Sequence, residues 1–75
     1  MKSYDIQELD IVRLRVYLRS EGLEKGMTGR VVMIYGHPPK DVDVEFIEAE
    51  TGKIKLVLVP LRWIERVEED AEKEV

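Results

Sequence analysis

The 75-residue sequence predicts an all-β domain, a small five-stranded barrel with one short 3₁₀ turn before its last strand and a charged C-terminal tail. Three observations predict it. Apolar and polar residues alternate with a period of two around Val12-Arg13-Leu14 and again through Val42-Asp43-Val44-Glu45-Phe46, the mark of half-buried strands. Glycines and prolines cut the rest into pieces too short for helices: Gly22, Gly26 and Gly29, then Gly36, Pro38 and Pro39, then Gly52 and Pro60. The chain is also short and has no cysteine, so no disulfide supplements a core that buries a smaller share of surface than a typical domain. An economical closed or nearly closed sheet, a partner subunit, or both must supply the missing stability.

The first strand is expected from Asp10 to Tyr17, with Val12, Leu14 and Val16 inward and Arg13 and Arg15 on the wet face. A glycine-rich connection, Leu18 to Gly29, follows, and Leu23 is expected to fold back over one end of the core. Arg30 to Tyr35 is the second strand; it is apolar almost throughout, as a bent strand between two halves of a barrel can be. Gly36-His37-Pro38-Pro39 is a loop, because a Pro-Pro pair donates nothing to a ladder. The third strand, Val42 to Ile47, puts Val42, Val44 and Phe46 inward, and Glu50-Thr51-Gly52 turns the chain into a fourth, Lys53 to Val59. There Ile54, Leu56 and Leu58 are expected inward, with Lys53 and Lys55 outward beside Asp43 or Glu45. Leu61 to Ile64 suits a single 3₁₀ turn with Leu61 and Ile64 inward, and Ile64 to Val67 a fifth strand. The barrel is thus assigned to residues 1–67, and 68–75 to an acidic tail that is frayed or weakly helical.

The stretch Gly26-Met27-Thr28-Gly29-Arg30-Val31-Val32-Met33-Ile34 is the most informative. A tight turn entering a curved strand needs positive φ or close backbone approach, which glycine tolerates, and Val31 and Ile34 then plug the interior. With these residues the chain resembles small SH3-like barrels of the KOW kind. It resembles more closely a family of small bacterial proteins known only as a domain of unknown function. The residues that carry this are Glu8-Leu9-Asp10-Ile11-Val12-Arg13-Leu14, Gly22-Leu23, Lys25-Gly26, Gly29-Arg30-Val31-Val32, Val42-Asp43-Val44-Glu45-Phe46 and Ile54-Lys55-Leu56, over roughly residues 6 to 67. The resemblance implies an SH3-like fold and a loose association with bacterial toxin and immunity gene neighbourhoods; it carries over no catalytic residue.

Composition narrows the function classes. Charged residues make up 37% of the chain and the formal net charge is −4. Residues Met1 to Asp10 lack a basic end followed by an apolar run, and no stretch approaches the roughly eighteen apolar residues that span a bilayer. A cytoplasmic protein that does not enter the membrane is expected. With one histidine, His37, two serines, Ser3 and Ser20, and no cysteine, neither a nucleophile–base set nor a zinc site has its parts. Asp41 and Asp43 lack the glycine and glutamate that a calcium loop would place after them. No catalysis, metal or cofactor is expected.

Two binding readings remain. Arg13, Arg15 and Arg30 lie in the more basic first half and could neutralise phosphates of RNA, but the acidic whole opposes this. The favoured reading is protein binding, through Tyr17, Arg19, Tyr35, His37, Arg62 and Trp63, an aromatic–arginine set of the composition found at interface hot spots. The expected partner is another protein of basic character, engaged in an antitoxin-like or immunity-type masking role, with self-association through exposed strand edges as a further expectation.

Overall fold

The computed structural model describes residues 6–48 and 50–67, so the expected acidic tail, 68–75, lies outside the described residues, as do Ser3 and residue 49. Five antiparallel strands form one sheet: β1 (Ile11–Leu14), β2 (Thr28–Tyr35), β3 (Asp41–Ile47), β4 (Ile54–Pro60) and β5 (Ile64–Arg66), in the order β4-β3-β2-β1-β5. A 3₁₀ turn, Leu61–Trp63, precedes β5 as the sequence predicts, and a second, Arg19–Glu21, sits in the glycine-rich connection. Among the described residues β4 pairs only with β3 and β5 only with β1, so the ladder does not close into a full barrel. The sheet curls around its core, and among the described residues no strand covers the outer edge of β4.

Each boundary has a local cause. β1 stops at Leu14 because its pairing with β2 slips there: Gly26 N–H donates to the Leu14 carbonyl at 2.8 Å, one residue out of register, while on the β5 side Arg15 N–H still donates to the Trp63 carbonyl at 2.7 Å. The two glycines entering β2 answer the two needs separately. Gly26 takes φ 95°, whereas Gly29 is needed for space. A Cβ there would lie 2.7 Å from the Glu45 carbonyl oxygen, 2.7 Å from Val44 Cγ1 and 2.9 Å from Phe46 Cδ1. The register of β2 against β3 shifts between Val31 and Met33, a β-bulge at Val32. This bulge keeps both Val31 and Ile34 on the core side, opposite Val44 and Val42.

The core holds Val12, Leu14, Val31, Val42, Val44, Phe46, Leu61 and Ile64 as expected, and Leu23 does fold back to close one end at 2% exposure. Ile34 and Trp63 pack against this cluster half-buried. The fourth strand overturns the sequence reading. Val57 and Val59 face the core, while Ile54, Leu56 and Leu58 are 61%, 58% and 59% exposed. The cause is register. Val59 lies opposite Val42, Val57 opposite Val44 and Lys55 opposite Phe46, and directly paired residues share a face. A shift of one residue in the hairpin would have turned every side chain over. The expected outer-face pairing of Lys53 or Lys55 with Asp43 or Glu45 falls with it. Lys55 lies on the inner side at the rim, its Nζ 3.5 Å from Glu21 Oε1, and Glu45 is held by Arg30 at 2.9 Å.

Candidate functional site

The phase of the β3–β4 ladder decides what the open edge offers. Leu61 N–H donates to the Lys40 carbonyl at 2.9 Å, and Glu48 N–H donates to the Lys53 carbonyl at 2.9 Å. Hydrogen-bonded and non-bonded pairs alternate in an antiparallel ladder, so Val42–Val59, Val44–Val57 and Phe46–Lys55 are the bonded pairs. Ile54, Leu56 and Leu58 therefore turn their backbone N–H and C=O groups away from β3. These same residues project their side chains onto the outer face. Spaced two apart along one strand, they make an apolar file about 13 Å long.

Beside this file run the outward residues of β3. Leu58 stands opposite Asp43, Leu56 opposite Glu45, and Ile54 opposite Ile47, which is 63% exposed. Beyond them on β2 come Arg30, Met33 and Tyr35, the last two 45% and 44% exposed. Three carboxylates, Asp41, Asp43 and Glu45, thus share this face, with Arg30 paired to Glu45. Asp43 Oδ2 accepts a hydrogen bond from the Tyr35 hydroxyl at 2.5 Å. That bond, with some desolvation and the adjacent negative charge, raises the Tyr35 pKa above its ordinary 10.0. A shallow depression lined by Ile11, Thr28, Gly29, Arg30, Glu45 and Ile47 completes the surface.

The residues singled out in the sequence fall in different places. Tyr35 ends β2 in a row with Asp41 and Pro60, and His37 follows in the exposed turn. Arg62 and Trp63 follow Pro60 directly, the Arg62 guanidinium 6.0 Å from the centre of the Trp63 ring, at the outer limit of a cation–π contact. Tyr35, His37 and Arg62 thus lie by the Pro60 end of β4. Trp63 is tied to the end of β1, its carbonyl accepting from Arg15 N–H at 2.7 Å, and the 3₁₀ turn of Arg19 is tied through Glu21 to Lys55, near the other end of β4. Tyr17 is 64% exposed on the segment leading into that turn. Of the arginines read for nucleic acid, Arg13 bonds Glu65 at 2.9 Å and Arg30 bonds Glu45 at 2.9 Å, while Arg15 is exposed just past β1. The apolar file of β4, with Ile47 and Met33, is what the sequence reading missed. The only signal for it is the parity of the turn between Ile47 and Ile54, which places an odd residue of one strand opposite an even residue of the other.

A family model described as "Domain of unknown function (DUF4926)" matches residues 8–61. The chain belongs to this family. The matched span takes in β1 to β4 and the first residue of the Leu61–Trp63 turn, and so includes the whole outer face of β2–β3–β4. No curated protein matches the chain, and no solved structure does.

Proposed function

We propose that this member of the family is a non-catalytic, SH3-like protein-interaction module of the bacterial cytoplasm. It masks a basic partner protein in the manner of an antitoxin or immunity protein. The observation that carries this reading is the outer face of β4. Ile54, Leu56 and Leu58 stand about 60% exposed in an unbroken file, alongside a row of three carboxylates. Contiguous exposed apolar surface on so small a domain marks an interaction site rather than incidental exposure. The acid row gives the partner its chemistry: an apolar patch flanked by Lys or Arg, attracted by Asp41, Asp43 and Glu45.

Two further observations support protein over RNA. Arg13 and Arg30 already have carboxylates at 2.9 Å, so phosphates would have to displace them. The aromatic residue on the face, Tyr35, is engaged by Asp43 and not presented for base stacking. The non-catalytic reading is supported by the position of His37, exposed in a turn with no hydrogen bond to its side chain among the described residues.

The test is affinity purification from the native host followed by titration of the purified captured protein. A basic polypeptide is expected that binds wild type and an Arg13→Ala/Arg15→Ala variant alike. Leu58→Lys should weaken it by at least about 30-fold, the loss typical of a hot spot. A captured protein that binds Leu58→Lys as tightly as wild type refutes the assigned face.

A further inference from the structure

We propose that β4 pairs edge to edge with β4 of a second copy, antiparallel, about a two-fold axis through Leu56. This contact uses the backbone edge of β4 and not its apolar face, so its loss and the loss of partner masking are distinguishable.

Natural edge strands are usually guarded by charge, by proline within the strand, by a bulge or by a covering loop. From Ile54 to Leu58 the outward-bonding positions of β4, Ile54, Leu56 and Leu58, carry none of these; the one guard is Pro60, the last residue of the strand. No backbone hydrogen bond from the turns or loops reaches these three among the described residues.

The occupant follows from symmetry. Three outward-bonding residues spaced two apart are self-complementary when reversed. Leu56 meets its own copy, and Ile54 meets Leu58 of the second chain at both ends. Every outward N–H then finds a C=O, six hydrogen bonds in all by the pairing rule, and Pro60, which has no N–H to give, stays outside the ladder. Such an isologous contact is how most two-fold dimers are built. Side chains match as well. Leu56 lies beside Leu56 and Ile54 beside Leu58 on the outer face, and Val57 lies beside Lys55 on the inner. No like charges are placed opposite each other, and Lys55 keeps its ion pair with Glu21. The net charge of −4 opposes association of two copies at long range, but the edge itself is free of acid from Ile54 to Pro60. The result is a continuous ten-stranded sheet whose two outer faces lie side by side.

An edge of this length is about 20 Å long. It covers less than the roughly 800 Å² per partner of a standard interface, the size class of weak and transient contacts.

The test uses the absence of native cysteine. In the proposed register two Leu56 Cα atoms stand about 5.5 Å apart, within disulfide range, whereas two Leu58 Cα atoms are separated by roughly four residues along the strands. The full-length Leu56→Cys chain at about 200 μM under glutathione redox buffer is expected to become a disulfide dimer. Leu58→Cys, equally exposed, is expected to stay free of the cross-link. Sedimentation of the wild type should show concentration-dependent doubling of mass. Leu56→Lys, confirmed folded by circular dichroism, should raise the dissociation constant at least 10-fold. A wild type monomeric up to 1 mM overturns the proposal. So does equal cross-linking of the two cysteine variants, or cross-linking of Leu58→Cys alone. A β4 edge reserved for a strand of the partner protein would appear as the first of these.

Discussion

Replacing neighbouring residues of β4 separates the two possible faces of that strand. Val59 is fully buried and Leu58 is 59% exposed, although Leu58 is the larger and more hydrophobic side chain. Val59→Ala removes two methyl groups from the core. At about 0.8 kcal/mol per buried carbon the transfer loss is roughly 1.6 kcal/mol. The cavity left between Val42 and its neighbours brings the total to about 2–3 kcal/mol. For a domain of this size that lowers the melting temperature by about 10–20 °C. Leu58→Lys removes a side chain that is mostly in water and places an ammonium opposite Asp43. Its expected effect on stability lies within about 0.5 kcal/mol of zero. Urea denaturation followed by tryptophan fluorescence, with Trp63 packed against the core as the reporter, measures both. The comparison belongs at low micromolar concentration, where self-association contributes nothing. A silent Val59→Ala together with a Leu58→Lys that loses 2 kcal/mol or more would refute the register and every statement about the outer face.

Other outcomes follow from single contacts. Gly29→Ala should destabilise the fold by about 1–3 kcal/mol, because the added methyl meets the Glu45 carbonyl and the Phe46 ring inside van der Waals contact; an unchanged urea midpoint would show that the strands are not so close. Absorbance titration near 295 nm should find one of the three tyrosines ionising above 10.0, assigned to Tyr35 by its loss in Tyr35→Phe, with Asp43→Asn returning it toward the ordinary value. Because the folded value is raised, the Tyr35–Asp43 bond contributes fully below 10.0 and is lost as the pH climbs through the folded-state value. Leu9 holds φ 75°, a left-handed conformation unusual for a branched side chain, and Leu9 is exposed; Leu9→Gly is expected to be neutral or to stabilise by up to about 1 kcal/mol in thermal melts, where a loss would point to a packing role for the side chain. RNA retention in a filter assay at 50 mM salt should be weak and unaffected by Arg30→Ala, since that guanidinium is engaged by Glu45.

The fold was legible wherever one face of a strand is apolar and the other is not. Val42-Asp43-Val44-Glu45-Phe46 alternates without exception, and β3 lies as read. Leu61 and Ile64 point inward because a 3₁₀ turn brings residues three apart onto one side, which again needed only the sequence. β4 was not legible. From Leu56 to Val59 it is apolar on both faces, so hydrophobicity carries no phase, and the larger side chains pointed to the wrong answer. The phase comes from β3 across a turn whose parity composition does not encode. The candidate site is hidden for the same reason: apolar residues assigned to the interior leave no apolar surface to notice. The aromatic–arginine set was read from composition alone, and chain topology does not gather it: Tyr35 ends β2 beside Asp41, Trp63 is bonded to Arg15 past β1, and Arg19 lies in the turn tied to Lys55.

The bulge at Val32 has a consequence for the shape of the whole molecule. Met33, Ile34 and Tyr35 pair with Asp43, Val42 and Asp41 in unbroken sequence, and Arg30 and Val31 with Glu45 and Val44, so Val32 is the one residue to spare. It falls just past Val31, whose N–H and C=O still bond Asp10 and Leu9 ahead of β1, and beyond it β2 continues with β3 as its one strand neighbour among the described residues. A chain lacking Val32 could form every one of these pairs and yet lose the crease that folds one leaf of the sheet over the other. Its strands would lie in a flatter ribbon with Phe46 and Val44 open to water, detectable as a larger radius in X-ray scattering. Curvature in this protein is thus written as a single supernumerary residue.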